Sequence, residues 1–394
     1  MKIKYVSIYD NNPDSGVTKK ILYQIDALNN LGIQTELYLL CREDVEKTVN
    51  RDYVKYVNCP IPPYKSLIDK IKGSAGIKET YFNLFKTFDS TDIVYLRNHL
   101  PTYWFYKLLK ETDKKVIIEI VSNKFQEALL RKSYLFYLSL KLFNNAIFKQ
   151  ASAVVSVTRD LVSKTYDERK VKTPYVVIGN GIELENIPAR KKETKETDDI
   201  IRLTCVANVC KWHGLDLLLN GLKNNTTSYK FHLDIIGSGP EIKNLKQQAS
   251  DLGIEHLVTF HGFMKGKELD GVFTSTDIGI SNLATFRKGI KFTSPLKSRE
   301  YCARGIPFIY TEIDEDFPDG FPFALRLLKN EITIDLMEIG KFYDKISRIE
   351  DVSAKMRSYA HENLTWNKKM LKLYELLHKK EEVPSTSSYS ANLV

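Results

Sequence analysis

The stretch from Ser294 to Thr311, SPLKSREYCARGIPFIYT, contains a helix start, a charged helix face, a helix stop and a strand. Ser294 is a favoured N-cap residue and Pro295 suits the first helical position. Gly305 and Pro307 end the helix before the apolar run FIYT, which has the length of a short buried strand. The segment therefore predicts a helix and a strand of an α/β domain.

Lys297 falls in the first turn of this predicted helix, where the macrodipole is already positive. Because a lysine there is mildly destabilising without an anionic partner, its position indicates a bound anion. Glu300 shares its face and can accept hydrogen bonds from two vicinal hydroxyls while Lys297 contacts a phosphate, the combination typical of a nucleotide sugar. The alternative is a solvated face with an ion-pair ladder of Lys297, Glu300 and Arg304, and the local pattern favours neither.

The composition bounds the fold and the location. A chain of 394 residues with 43% hydrophobic residues is long enough for two cores, and no window approaches the roughly 18 apolar residues of a membrane span. The N-terminus, MKIKYVSIYD, is typical of a strand rather than of a signal peptide, so we expect a cytoplasmic protein. The five cysteines lack CxxC spacing, which argues against a disulfide framework and a zinc site and favours reduced packing residues.

The net charge of +9 is concentrated in the first half of the chain. Up to Ile182 there are 28 Lys and Arg against 19 Asp and Glu, and beyond it 30 against 30. A basic half beside a neutral half fits a surface that faces acidic lipid, an anionic acceptor or nucleic acid, or simply a soluble basic domain. Since the basic residues are scattered and no recognition motif is present, we do not expect nucleic-acid binding.

Strand and helix patterns alternate through both halves. The runs KIKYVSIY, QTELYLL, DIVYLR and KVIIEIV come first, and IRLTCVAN, FHLDIIG and DIGISNL follow in the second half. This alternation predicts an α/β protein with two Rossmann-like, doubly wound parallel-sheet domains facing a cleft. The charged segment 183–199 predicts a linker between a domain of residues 1–182 and one of residues 200–365. A final helix, interrupted near Asn363, precedes a tail, 383–394, that we expect to be disordered.

Four segments, in this order and spacing, resemble the nucleotide-binding domain of retaining glycosyltransferases of the two-Rossmann GT-B architecture, specifically family 4: HLDIIGSGPE, VTFHGFM, DIGISNL and SPLKSREYCARGIP. NPDSGVTKKI resembles the family's N-terminal glycine loop, and NLTWNKKM resembles the terminal helix, 366–382, that crosses back to the N-terminal domain. The resemblance implies that residues 200–365 bind a nucleotide sugar, UDP- or GDP-linked, and that residues 1–182 bind the acceptor.

The resemblance places the donor diphosphate beside the loop VANVCKWHG, where family members usually carry an Arg and a Lys. This chain has Asn208 and His213 at those positions. Lys211 and Lys297 are therefore the candidate pair for the diphosphate, and with a helix N-terminus they supply positive charge without a metal or other cofactor. The alternative for Lys211 is an ordinary loop lysine.

Glu300 matches the second Glu of the family's Glu, seven residues, Glu motif and is expected to hold the ribose hydroxyls. The first Glu falls on Phe292, as in the SPxKxxEY variant, so backbone NH groups of the segment Thr293 to Leu296, which includes Ser294 and Pro295, are the candidates for holding the donor hexose. Further donor contacts are expected at the following positions: Gly16, Gly237, His261, Gly262 and Phe263. For the glycines a plain turn is an equal alternative, and for His261 the alternative is a packed side chain.

Three residues are candidates for the acceptor side. Ser15 lies in the loop before the first helix, and Arg97 and Glu119 end two neighbouring strands at the expected cleft edge. Relatives often place a His or Glu that contacts the reacting sugars where Glu119 stands, so it is a catalytic candidate. The alternative is a structural ion pair with a nearby lysine or with Arg97, because buried carboxylates are costly unless paired.

The resemblance implies retention of configuration by front-face attack, in which a phosphate oxygen accepts the acceptor's proton. The acidic triplet Asp314 to Asp316 has no sequence context for a metal site and is better interpreted as an acidic surface turn.

The predicted helix from Lys124 to Gln150 mixes aromatic and basic residues. It is either a core helix or one that lies on an anionic membrane at the inner face of the cell membrane.

These features together predict a metal-independent, retaining, hexosyltransferase-like enzyme that moves a sugar from a nucleoside-diphosphate sugar to a glycan or lipid-linked acceptor in surface glycan synthesis. Two alternatives stay open. A non-catalytic subunit of a glycosylation complex would keep the fold and lack donor affinity, and a nucleotide-sugar epimerase would need carboxylates near the sugar that the sequence does not offer.

Overall fold

The computed structural model describes residues 1–13, 15–60, 67–97, 99–191 and 200–378. Within them, the N-terminal half forms a sheet of seven parallel strands, β1 to β7 in chain order: Lys2–Ile8, Gln34–Cys41, Val54–Asn58, Ile93–Arg97, Lys115–Ile120, Ala153–Ser156 and Tyr175–Val177. Their spatial order is β3-β2-β1-β4-β5-β6-β7. The connecting helices α1 to α6 span Gly16–Asn30, Leu67–Thr87, Tyr103–Glu111, Lys124–Leu130, Tyr134–Gln150 and Arg159–Thr165.

The second half repeats the plan with six parallel strands, β8 to β13: Ile200–Val206, Lys230–Ile236, Val258–Gly262, Ile278–Ile280, Phe308–Tyr310 and Ala324–Arg326. Their order is β10-β9-β8-β11-β12-β13. Helices α7 to α13 span Leu215–Lys223, Ile242–Asp251, Lys267–Ser275, Leu296–Arg304, Leu336–Ser347, Val352–Asn363 and Trp366–His378. The predicted pair of doubly wound parallel-sheet domains is confirmed.

Burial on both faces explains why the strands are continuous apolar runs. Every residue of β4, IVYLR, is buried, as is every residue of β6 and β12. Parallel strands need helical crossovers that cover both faces, so alternation with polar residues is lost. In both sheets the carboxyl ends of the strands carry the loops that approach the other domain.

The last helix returns to the N-terminal domain. Trp366, Met370 and Leu373 of α13 belong to the core formed by β1, β2 and α1. At the crossover, a Cβ on Gly181 would lie 2.6 Å from the ring of Trp366, so only glycine fits beneath the indole. Part of the predicted linker, 192–199, and the predicted tail, 383–394, lie outside the described residues.

Two predictions of local structure are wrong. The helix predicted from Lys124 to Gln150 is two helices, because Lys132 takes a left-handed backbone with φ of 53° and ends the hydrogen-bonded ladder between α4 and α5. The helix predicted to begin after a Ser294 cap begins at Leu296, since Pro295 is extended with ψ of 135°. Among the described residues, none of the helices combines the length and apolar composition needed to cross a bilayer.

Candidate functional site

A cleft separates the carboxyl ends of the two sheets and contains a cavity of about 290 Å³. Its walls come from both domains, namely the segments that follow β5 and β6 on one side and the loops around β11 and the start of α10 on the other. Asn180 joins the two sides, because its backbone NH donates to Ser294 Oγ at 2.7 Å and its Nδ2 donates to Ser294 O at 2.6 Å. The Ser294 hydroxyl therefore fixes the crossover and does not cap α10.

Lys297 lies half-buried in the first turn of α10. Its Nζ is 3.9 Å from Cys205 Sγ, and no carboxylate of the described residues forms an ion pair with it. Burial lowers the pKa of Lys297, since the charged ammonium loses water there. A half-buried cation at the positive end of a helix is an unsatisfied charge that an anion would neutralise.

His213 is a neutral hydrogen-bond donor whose ring is affected by the charge of Lys297. Its Nδ1 accepts the backbone NH of Cys210 at 2.9 Å, which leaves the proton of the neutral ring on Nε2. Burial, followed by the positive charges of Lys297 and Lys288, lowers the pKa of His213 to about 3. The charges of Lys297 and Lys288 both act on this ring, and of the three side chains Lys288 lines the 290 Å³ cavity whereas Lys297 and His213 do not.

Lys288, which the sequence analysis missed, lines the cavity and lies 4.2 Å from the ring centroid of Trp212. Lys211 and Asn208 are exposed in the loop after β8, and neither lines that cavity. The carbonyl of Lys211 accepts a hydrogen bond from Arg287 at 2.7 Å, which ties this loop to the one after β11. This contact between the two loops places Lys288 at the cleft, and the sequence pattern does not predict it.

Glu300 forms one of the ion pairs that the alternative interpretation of the α10 face predicted, the pair with Arg304. Its Oε1 accepts a hydrogen bond from Arg304 Nε at 3.0 Å, and Arg304 also pairs with Asp270 at 2.7 Å. Lys297 does not take part in this ladder. The Glu300 side chain is 29% exposed and does not line the 290 Å³ cavity.

The expected base-binding region lies at the end of β10. Gly237 NH donates to Gly262 O at 2.6 Å, and a Cβ on Gly237 would lie 2.0 Å from Ala207 O. The turn alternative therefore accounts for Gly237. His261 Nε2 is hydrogen-bonded to Asp234 at 2.6 Å, as expected of a packed side chain, whereas Phe263 is 74% exposed beside Gly262.

The N-terminal glycine loop faces the start of α10. Ser15 Oγ accepts the NH of Thr18 at 3.0 Å, so it is the N-cap of α1, and it also donates to Asp10. A Cβ on Gly16 would lie 3.8 Å from Leu296 Cδ1. The structure thus brings Gly16 of the first domain next to Leu296, which precedes Lys297 in the first turn of α10.

Glu119 is buried among partners at the end of β5. Its Oε1 is 3.1 Å from Lys20 Nζ, and its Oε2 accepts hydrogen bonds from Tyr5 Oη at 3.0 Å and Arg97 Nη1 at 3.4 Å. These cations outweigh the effect of burial and lower the pKa of Glu119 to about 2. The arrangement fits the structural ion pair that the sequence left open, and Arg97 is one of its partners.

The prediction of an acidic surface turn at Asp314 to Asp316 is wrong. Arg299, fully buried, forms ion pairs with both Asp314 and Asp316, and Asp316 also pairs with Lys369 of α13. The local pattern does not predict this pairing, because the arginine that binds the two carboxylates lies on a different element, α10. The cluster joins α10 to the terminal helix and so holds the cleft wall in place.

The turn between α4 and α5 exposes large apolar side chains. Six of them are at least half exposed: Leu129, Leu130, Tyr134, Leu135, Leu138 and Leu142. Arg131, Lys132 and Lys141 are exposed among them. We call this surface, residues 129–142, the apolar tip. It does not fit the core-helix alternative, and it reaches the cleft because Leu130 also lines the cavity.

Two doubly wound parallel-sheet domains that face a cleft, with a last helix packed on the first domain, define the GT-B fold of glycosyltransferases. Residues 186–319 match the family model of glycosyl transferases group 1. This match, in the domain that carries Lys297, supports a glycosyltransferase. No curated protein sequence matches the chain.

Solved structures share the fold over nearly the whole chain. Sucrose-phosphate synthase from Thermosynechococcus elongatus is 12% identical with a TM-score of 0.69, and the alignment covers 96% of this chain and 98% of that one. HepE from Anabaena, solved in complex with UDP, is 14% identical with a TM-score of 0.65 over 96% and 99% of the two chains. A glycosyltransferase from Rickettsia africae is 15% identical with a TM-score of 0.63 over the same shares. At these identities the likeness establishes the GT-B fold.

Proposed function

We propose that this protein is a retaining glycosyltransferase of family 4 that transfers a hexose from a nucleoside-diphosphate sugar without a bound metal. The observation that carries the proposal is Lys297, a half-buried cation at a helix N-terminus with no carboxylate partner in the described part of the chain. The charges of Lys297 and Lys288 both act on His213, whose Nε2 carries the proton of the neutral ring. Two cations, a neutral donor and a helix N-terminus match the charge and acceptor oxygens of a diphosphate.

The proposed reaction is the front-face displacement that the resemblance to family 4 implies. The bond between the anomeric carbon and the diphosphate oxygen breaks as Lys297 and Lys288 stabilise the negative charge on the leaving group. The acceptor hydroxyl forms the new bond on the same face, and its proton passes to a phosphate oxygen. Glu300 Oε2, the oxygen not bonded to Arg304, accepts the ribose hydroxyls.

Thermal shift measurements with UDP, GDP, ADP and CMP test the proposal. We expect a nucleoside diphosphate to raise the Tm of the wild-type protein and Lys297→Met to lose most of this shift, because binding to the folded state alone raises stability. Lys267→Met is the matched control, since Lys267 is an exposed first-turn lysine of α9 in the same domain. The absence of a response to any nucleotide would favour a non-catalytic subunit. An unchanged shift in Lys297→Met would refute the assignment of the diphosphate site.

We further propose that the acceptor is lipid-linked and that the apolar tip docks on the anionic inner face of the cell membrane. Leu130 and Leu135 are 72% and 82% exposed, and burying such side chains in the bilayer interface is favourable. The basic residues Arg131, Lys132 and Lys141 would meet anionic headgroups. Because Leu130 also lines the cleft cavity, a lipid carrier held at the tip would present its head group to the donor.

Co-sedimentation with phosphatidylglycerol vesicles tests this surface. We expect the wild type to pellet and Leu130→Ser/Leu135→Ser to remain in the supernatant, with weaker binding by Lys132→Glu/Lys141→Glu and in high salt. The matched control is Leu328→Ser/Ile332→Ser, which removes two side chains that are 84% and 74% exposed elsewhere. Equal loss in the control, or binding that ignores both salt and the tip variants, would overturn the assignment.

A further inference from the structure

Two residues that line the cleft cavity each have a side-chain oxygen for which the described part of the chain provides no hydrogen-bond partner. Asn282 and Thr285 both line it, directly after β11, and Asn282 Oδ1 and Thr285 Oγ1 are buried atoms to which the described residues offer no hydrogen bond. Thr285 is only 4% exposed. Buried polar atoms in folded proteins almost always have a partner, so two orphans at one cavity indicate a group that is bound there during function.

Backbone hydrogen bonds hold the loop that carries these oxygens. Leu283 NH donates to His213 O at 3.1 Å, and Ala284 NH donates to Trp212 O at 3.1 Å. On the other side, Asn282 O accepts the NH of Thr311 at 3.2 Å. Because the backbone is held from both sides, the orphan oxygens do not come from a loosely placed loop.

We propose that Asn282 and Thr285 hold the hydroxyl groups of the donor hexose, an inference that rests on the proposed function. A threonine hydroxyl both donates and accepts, and an asparagine amide offers both kinds of group, so the pair suits neutral sugar hydroxyls. Phe292 lines the same cavity where the resemblance expected a carboxylate, and Trp212 lines it too. The cavity therefore combines apolar side chains with polar ones, and small-ligand sites use such polar groups to orient the ligand.

Kinetics with a donor panel test this subsite. The panel contains UDP-glucose, UDP-galactose, UDP-N-acetylglucosamine and GDP-mannose, with UDP and GDP as sugar-free probes. For the donor that wild type uses, we expect Thr285→Val and Asn282→Leu each to lower kcat/KM about tenfold or more, while the Kd of the free nucleoside diphosphate stays within about twofold. Thr285→Ser, which keeps the hydroxyl, should retain most of the activity.

Stability separates this role from a structural one. Thr285→Val removes an oxygen that has no partner, so its Tm should stay level or rise. Thr204→Val is the control, because Thr204 Oγ1 shares a buried hydrogen bond of 2.8 Å with Thr276 and its loss should lower the Tm without a selective donor effect. Full activity with the donor in both cavity variants would overturn the subsite and leave the proposed function standing. A loss of diphosphate affinity as large as the loss in kcat/KM would do the same. Failure of the wild type to bind any probe would overturn the proposed function and the subsite with it.

Discussion

Glu119 offers the sharpest test of how the N-terminal wall of the cleft is built. The side chain is 1% exposed, and Lys20, Arg97 and Tyr5 surround its two oxygens. Replacing it with Gln keeps the shape and removes the charge. Two buried cations would then lose their common counter-ion, which is the situation in which breaking a buried ion pair is strongly destabilising.

The magnitude follows from the carboxyl group itself. Its pKa falls from 4.5 to about 2 in the folded protein, and at about 1.36 kcal/mol per pKa unit this is worth about 3 kcal/mol. Removing one partner of a buried pair costs about 3 to 5 kcal/mol, so we expect a loss in that range. Burial lowers the pKa of Lys20, and proton loss from Lys20 would keep the cost near the lower end.

Urea unfolding of wild type and Glu119→Gln at pH 7 and pH 4 measures this loss. A group with a lowered folded pKa stabilises fully above its unfolded pKa, so the difference between the two proteins should be largest at pH 7 and shrink as the pH falls from 4.5 towards 2. Glu36→Gln is the control. The pKa of Glu36 is also about 2, but its side chain is 23% exposed, and we expect a loss of only about 1 kcal/mol.

Activity measured at a temperature where Glu119→Gln is folded completes the test. With Glu119 in a structural role, the variant should keep its kcat within about threefold, because removal of a catalytic general acid or base typically costs about 10²-fold or more. A variant that is as stable as the wild type and has lost turnover would refute the structural interpretation and restore the catalytic one.

Three further changes have defined outcomes. Arg299→Gln should lower the unfolding free energy by about 3 to 5 kcal/mol, measured with urea, because Asp314 and Asp316 would lose their buried partner. His213 has a pKa of about 3 in the folded protein, so below pH 6.5 the unfolded state binds more protons than the folded state. Between pH 6.5 and 4, the free energy of unfolding of the wild type should therefore fall by up to about 3 kcal/mol relative to that of His213→Gln, as measured by urea unfolding at each pH. Gly239→Ala should cost more than about 2 kcal/mol by urea titration, since φ is 145° and a Cβ would lie 2.3 Å from backbone atoms of the loop after β8.

The sequence predicts the fold because buried parallel strands are continuous apolar runs and the helices between them have clear ends. It misses breaks that no Gly or Pro marks, as at Lys132 between α4 and α5. It also predicts a single helix before the interruption near Asn363, whereas the structure has two, α11 and α12, separated at 348–351. A left-handed residue with an ordinary side chain gives no local signal.

The sequence predicts those parts of the candidate site that depend on neighbouring residues in the chain. The position of Lys297 in a helix first turn is readable, since it depends on neighbours in sequence. Three other features of the site depend on loops that tertiary contacts join. They are the absence of a carboxylate partner for Lys297 among the described residues, the position of Lys288 at the cleft cavity, and the unpartnered hydroxyl of Thr285. The burial of Asp314 likewise depends on Arg299, which lies on another element.

A calorimetric cycle tests most directly whether Lys297 binds the diphosphate of the donor nucleotide. The Kd values of UDP and UMP, or of GDP and GMP if guanosine is preferred, are measured for wild type and Lys297→Met. The cycle isolates the energy that couples this side chain to the second phosphate. We predict that the wild type binds the diphosphate at least about tenfold more tightly than the monophosphate and that Lys297→Met abolishes most of this preference. A preference that survives in Lys297→Met, or equal affinities in the wild type, would contradict the claim.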